Sequence, residues 1–115
     1  MVIDFEHQQD VFVLRVAGRF VTGADSDYVR RKTDEIKSHN CAKMLVDLHD
    51  VTAIGSMGIG FLVGMYVSVT KTPGGRFVLV NPSPRVREAL QLTRLTTVIP
   101  MVADLPSALA VLHEN

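Results

Sequence analysis

Apolar residues near the start of the chain occur in two β-rich runs separated by polar residues. The runs at 2–5 and 11–16 flank a polar turn at 8–10. Such a pattern is typical of two short antiparallel strands joined by a tight turn. We therefore expect the chain to begin with a hairpin.

The pattern then changes from strand to helix and back to strand. Segment 24–38 is charged and is predicted to be a helix. Its inner side would be formed by residues that recur at helical spacing, Tyr28, Val29, Lys32 and Ile36. The apolar run at 44–48 is short and unbroken, as in strands that a parallel sheet buries on both faces.

A helix with no charged side chain is predicted from Ser56 onward. Residues 72–75, Thr-Pro-Gly-Gly, end it, and a strand follows at 76–80. The inward stripe of this helix is predicted to be Ile59, Leu62, Val63 and Tyr66.

The last third of the chain predicts two more helices with a strand between them. The Ser-Pro pair at 83–84 supplies an N-cap and a proline at the first helical position, opening a helix to about Leu92. A brief strand is expected at 97–99. Asp104 is expected to cap a last helix that extends through Leu112.

The predicted order of elements is ββαβαβαβα, which indicates an α/β fold. Strands that alternate with helices pair in parallel, so the sheet is expected to be mixed but mostly parallel, with the first strand antiparallel at an edge. A chain of 115 residues accommodates one such domain, spanning residues 1–115.

Composition narrows the class of protein. Hydrophobic residues make up 47% and charged residues 21% of the chain, as in an ordinary globular protein. Twelve acidic and twelve basic side chains cancel, so no basic field favours nucleic acid. The single cysteine, Cys41, fits a reducing compartment, and the first residues do not resemble a signal peptide. We expect a cytoplasmic protein.

Residues 51–70 carry no charge and approach the length of a membrane span. Gly60 and Gly64 even have the spacing of membrane helix pairs. Gly55 and Gly58, however, divide the segment into strand, turn and helix. The segment therefore predicts a buried helix rather than membrane insertion, with glycines that allow close approach of a strand or a partner.

Ser56 is the residue whose chemistry is most open. At the start of a helix it could be an N-cap that accepts a hydrogen bond from the N–H of Gly58 or Ile59. It could also be a nucleophile or a phosphate acceptor, because free N–H groups at a helix N-terminus favour negative charge.

Catalysis by Ser56 is poorly supported by its neighbours. A nucleophile elbow has glycine two residues before and two after the serine, and here Gly58 fits but Ile54 does not. Asp104 and His113 follow in the order of a hydrolase triad, yet Asp104 already has a capping role. We therefore predict that the chain is not an enzyme.

Cofactor and metal motifs are equally weak. The glycines at 58 and 60 lack the third glycine of a dinucleotide fingerprint, and no P-loop lysine follows them. The histidines have no metal-ligand spacing in the sequence; they are His7, His39, His49 and His113. No cofactor or metal is predicted.

The chain resembles, nearly end to end, the STAS-domain anti-sigma-factor antagonists of bacterial partner-switching systems. Their hallmark, D-L-x-x-V-x-x-[IM]-D-S-[SAT]-G-L-G, is matched here by residues 47–60, DLHDVTAIGSMGIG. Further matches are GGRFVLV at 74–80, SPRVREAL at 83–90 and LTRL at 92–95.

The resemblance implies a switch rather than a catalyst. In such families the unphosphorylated antagonist binds an anti-sigma factor, often itself a serine kinase, and so frees the sigma factor. Phosphorylation of the serine at the position of Ser56 breaks the complex, and a PP2C-type phosphatase restores it. The resemblance places partner contacts at Gly55, Ser56, Met57, Gly58, Ile59, Gly60 and Phe61.

This sequence departs from the family pattern at three positions. Gly55 stands where the hallmark has an acidic residue, and Val21 stands where the early pattern G-x-[LIF]-D has another. Met57 is bulkier than the usual serine, alanine or threonine. An alternative function is therefore a STAS module that does not switch, as a subunit of a lipid transporter or a sensory scaffold.

Overall fold

A computed structural model describes residues 2–20 and 26–113. Within them the chain forms five strands and four α-helices. In chain order these are β1 (Val2–Gln8), β2 (Val11–Phe20), α1 (Ser26–Lys37), β3 (Lys43–Ile54), α2 (Ser56–Thr70), β4 (Arg76–Val80), α3 (Pro84–Leu92), β5 (Met101–Val102) and α4 (Leu105–Leu112). The predicted α/β order is confirmed.

The strands form one sheet in the order β1-β2-β3-β4-β5. β1 pairs with β2 antiparallel, and every later pair is parallel. The antiparallel edge strand and the mostly parallel sheet are therefore as predicted. The hairpin turn is as tight as expected, and Gln9 adopts a left-handed backbone with φ of 58°.

Alternation along the strands divides the core between the two faces of the sheet. Phe12 and Leu14 of β2 pack with the buried residues of α1, α2 and α3, whereas Val11 and Val13 pack with Ala108 of α4. The larger core thus lies under the first three helices, and α4 covers the opposite face.

Two predictions of local structure are wrong. No strand forms at 97–99. Thr97 ends a short 3-10 turn, Leu95–Thr97, and the strand forms later, as β5. Arg94 enters this turn with φ of 61°, and pairing with β4 begins only at residues 100–102. Hydrophobic β-branched residues favoured a strand there, but the turn geometry determines the outcome.

The inward stripe of α2 also differs from the prediction. Leu62 is fully buried as expected, and Ile59 and Tyr66 are partly buried and pack against the core, whereas Val63 is partly buried without joining it. The buried residues of α2 are Gly58, Phe61, Leu62, Met65 and Val69. Because this helix is apolar on all sides, its hydrophobic pattern did not distinguish the inner side from the outer one.

An ion-pair cluster ties the hairpin turn to β3 and to the end of α4. Asp10 Oδ2 lies 2.8 Å from Lys43 Nζ, and Asp10 Oδ1 lies 3.3 Å from His113 Nε2. The contact with Lys43, followed by that with His113, lowers the pKa of the Asp10 carboxyl to about 2. The ionised form of Asp10 is therefore favoured in the folded protein.

We predict that Asp10→Asn lowers the free energy of unfolding at neutral pH. The folded pKa lies below the unfolded value of about 3.9, so the stabilisation is present above about pH 4 and is lost as pH falls towards 2. Urea unfolding of both proteins from pH 7 to pH 2 measures the difference. Asp34→Asn, which removes an exposed carboxylate from α1, is the control, and an equal effect of the two variants would contradict the prediction.

Candidate functional site at the start of helix α2

The start of α2 lies at the end of a two-stranded extension of the sheet, formed by β2 and β3. β4 pairs with β3 only as far as Asp47, whereas β2 continues beside β3 to the pair Phe20 and Ile54. The seven further residues of β3 extend it by roughly 20 Å. Ser56 therefore lies well beyond the carboxyl end of β4, next to the end of β2.

The backbone at this turn places Ser56 inside the helix rather than before it. Gly55 is the N-cap, with an extended backbone at φ −136°, and Ser56 is the first helical residue. The prediction that the Ser56 side chain caps α2 is therefore wrong. In the described part of the chain its hydroxyl makes no hydrogen bond, and the residue is exposed. The hydroxyl is thus accessible from solvent.

Phe20 holds the turn in place. Its carbonyl oxygen accepts a hydrogen bond of 2.9 Å from the Gly55 N–H, and its ring lies 5.3 Å from the ring of Phe61, centroid to centroid. Gly55 O in turn accepts from Ile59 N at 2.9 Å, which closes the first turn of α2. The strand end and the helix start are therefore locked together.

Gly58 allows this close packing. A Cβ built at Gly58 would lie 2.6 Å from the carbonyl oxygen of Phe20 and 2.7 Å from Cγ1 of Ile54. Neither contact is tolerable, and the first involves backbone that is fixed by its hydrogen bond. The glycine of the hallmark is thus required by the fold itself.

The predicted contact residues divide into two sets. Gly58 and Phe61 are buried, and Phe61 is only 6% exposed, so they support the turn from inside rather than presenting a surface. Gly55, Met57 and Ile59 are half-buried, and Ser56 and Gly60 are exposed. The accessible part of the turn therefore consists of the latter five residues.

The outer side of α2 continues this surface without any charge. Gly60 and Val67 are exposed, and Gly64 lies between them. Within residues 2–20 and 26–113, no atom lies within 4 Å of a Cβ added at Gly60 or Gly64. Of the glycines expected to allow close approach, Gly58 receives a strand, through Phe20 of β2, whereas the described residues leave open space beside Gly60 and Gly64. Among the described residues, no helix is long and apolar enough to cross a membrane.

The turn is a favourable place for an anion. The N–H groups of Ser56, Met57 and Gly58 have no acceptor within residues 2–20 and 26–113. The first turn of α2 contains no acidic side chain. Free N–H groups and the helix dipole stabilise negative charge at such a position. The predicted replacement of an acidic residue of the family pattern by Val21 falls on a residue outside the described ranges.

Asp104 and His113 do not form a triad with Ser56. Asp104 caps α4, where its Oδ1 accepts from Ser107 N at 2.8 Å, and interaction with the Ser107 side chain, followed by that with the Ser107 backbone, lowers the pKa of Asp104. His113 contacts Asp10, which precedes the amino end of β2. Ser56 follows the carboxyl end of the neighbouring parallel strand, so His113 is at the opposite end of the sheet.

Sequence reasoning did not identify Phe20 as the residue that anchors the site. Its position in the early pattern Gly18-Arg-Phe20 was the available signal. The structure explains that signal, because Gly18 has φ of 97° and lies at an irregularity in the β2–β3 pairing. A residue with a side chain is strained in that conformation, so glycine there lets β2 deliver Phe20 to the turn.

A mixed sheet with an uncharged, anchored turn at the start of its second helix defines a small single-domain α/β protein. The chain belongs to the STAS domain family, whose model matches residues 2–108. It is 27% identical over 112 residues to the anti-sigma F factor antagonist of Paenibacillus polymyxa, covering 96% of this chain and 94% of that protein.

Solved structures share the fold. An anti-sigma factor antagonist from Mycobacterium paratuberculosis superposes with a TM-score of 0.85 at 23% identity, covering 98% of this chain and 94% of that one. The unphosphorylated form of SpoIIAA superposes with a TM-score of 0.75 at 22% identity, covering 95% of this chain and 94% of that one. Phosphorylated SpoIIAA from Bacillus gives 0.67 at 22% identity, covering 94% and 96%.

We predict opposite effects of alanine at two glycines of α2. Gly58→Ala should lower the free energy of unfolding by roughly 1–3 kcal/mol, because its Cβ overlaps the Phe20 backbone. Gly60→Ala should raise it by about 0.5–1 kcal/mol, because alanine is the better helix former and the position is open. Guanidinium unfolding measures both, and the same sign at the two positions would contradict this account of the turn.

Proposed function

We propose that this STAS domain is an anti-sigma-factor antagonist that binds an anti-sigma factor through the start and the outer side of α2. The observation that carries the proposal is the exposed, uncharged turn at Ser56, held rigidly by Phe20. The named relative from Paenibacillus polymyxa, which is matched over nearly its whole length, supports the same role.

The shape of the surface suits a protein partner. Gly55 and Gly60 expose backbone, and Met57 and Ile59 add partly buried apolar side chains that already rest on the core. A partner that covers this surface gains apolar contact with side chains that already pack partly against the core, which limits the entropic penalty of binding.

Phosphorylation of Ser56 would regulate this surface. A phosphate adds a charge of about −1.5 to −2 and would lie beside the free N–H groups of the first turn, so the domain should remain folded. A partner packed over the turn would have to remove water from that charge. Each 1.4 kcal/mol of that penalty weakens binding about tenfold. The proposed kinase is the anti-sigma factor itself, and a PP2C-type phosphatase would reverse the modification.

We expect Ser56→Asp to weaken binding to the cognate anti-sigma factor by at least about tenfold, whereas Ser56→Asn should stay within about threefold. Aspartate and asparagine have nearly the same size, so the comparison isolates the charge. Thr70→Asp, at the far exposed end of α2, controls for added charge elsewhere on the helix. Calorimetric titration measures all four proteins. Equal affinities for the aspartate and asparagine variants would refute the proposal that negative charge at residue 56 weakens binding.

We also expect the kinase-type anti-sigma factor and ATP to add one phosphate to the wild-type chain and none to Ser56→Ala. Intact-mass spectrometry measures this directly. A chain that binds the anti-sigma factor but gains no phosphate would be an antagonist without the switch. A chain that binds no anti-sigma factor and co-purifies with transporter components would instead be the non-switching module.

A further inference from the structure

Two histidines that are far apart in the sequence have neighbouring rings at the edge of the sheet. His7 lies on β1 and His39 follows α1, 32 residues later. Their ring centroids are 5.8 Å apart, and the rings are inclined at 79°. Both residues are exposed, so solutes reach them freely.

Aromatic packing holds both imidazoles in position. The ring of Phe12 lies 4.8 Å from that of His7 and 5.5 Å from that of His39, centroid to centroid. Phe5 also contacts His39 edge-on, at 5.4 Å, and stacks on Phe12 at 5.1 Å. Because Phe12 is buried, both histidine rings pack against a side chain that the core holds in place. Pairing the two rings therefore requires little further ordering.

The ring nitrogens of this pair are available, unlike those of the other histidines. His49 Nδ1 lies 3.2 Å from Asn81 Nδ2, and His113 uses both nitrogens, on Leu109 O and Asp10 Oδ1. Within residues 2–20 and 26–113, His7 and His39 make no hydrogen bond through their rings. Two adjacent imidazoles thus keep free lone pairs.

We propose that His7 and His39 together bind a divalent transition metal ion such as Zn²⁺, Ni²⁺ or Cu²⁺. Imidazole nitrogen suits these ions and binds zinc at about 2.0–2.1 Å. Two rings that share one ion then have centroids about 5–6 Å apart, which is the spacing observed here.

The surroundings determine what kind of site this is. No third histidine, cysteine, aspartate or glutamate completes a ligand set in the part of the chain that the structure describes, so water fills the remaining positions. Lys32 Nζ lies 5.7 Å from the ring centroid of Phe5, and its positive charge opposes a cation nearby. The site is therefore open and of modest affinity. Metal binding would fasten the edge strand β1 to the end of α1.

The test is a titration of the full-length chain without an affinity tag by ZnCl₂ and NiCl₂. Two-dimensional NMR of the imidazole groups should show the signals of His7 and His39 shifting together in the wild-type protein, with reversal by EDTA. The melting temperature should rise with metal, because an ion that binds only the folded state stabilises it. His7→Gln and His39→Gln should each weaken metal binding by at least about tenfold, whereas the control His49→Gln should bind as the wild type does.

Metal that shifts the signals of His49 or His113 but not those of the pair would overturn the proposal. Retention of affinity within twofold in His7→Gln and His39→Gln would also overturn it. The NMR titration uses the wild-type protein, so it decides the question even if a variant folds poorly. This site is independent of the function proposed for Ser56.

Discussion

The contact between Phe20 and the first turn of α2 is the constraint on which the rest of the site depends. One carbonyl oxygen both accepts the hydrogen bond of Gly55 and limits the space at Gly58. The long β2–β3 pair delivers that carbonyl beyond the rest of the sheet. The first turn of α2 is therefore held against the end of β2, and Ser56 is exposed at that turn.

The proposed switch requires that the same fold accommodate two charge states of this turn. A neutral serine leaves three N–H groups at the helix start to water, and a phosphate would be stabilised by them. The first turn has no carboxylate that would repel it. Gly55, which replaces the acidic residue of the family hallmark, therefore makes the turn less negative without loosening it. In the proposed switch, the added charge changes what the surface can bind and leaves its shape unaltered.

Local sequence signals predicted most elements of the fold but few of the contacts. The caps at Ser83 and Asp104 were predictable because a cap depends on neighbours in sequence, and both accept the expected hydrogen bonds, from Val86 N and Ser107 N. Ser56 was misassigned as the cap because serine and glycine are both common at the N-cap position. The sequence alone does not show that the extended residue before the helix is Gly55. The pairing of His7 with His39 depends on how α1 packs beside β1, and no sequence spacing encodes it.

The most direct measurement of the central claim is mapping of the anti-sigma-factor contact by NMR on the isotope-labelled full chain. We expect the perturbed backbone amides to cluster at residues 55–60 and along the outer side of α2 through Gly64 and Val67. Amides of α4 and of the sheet face beneath it should remain unchanged. Perturbations centred on α4, with the start of α2 unaffected, would contradict the account.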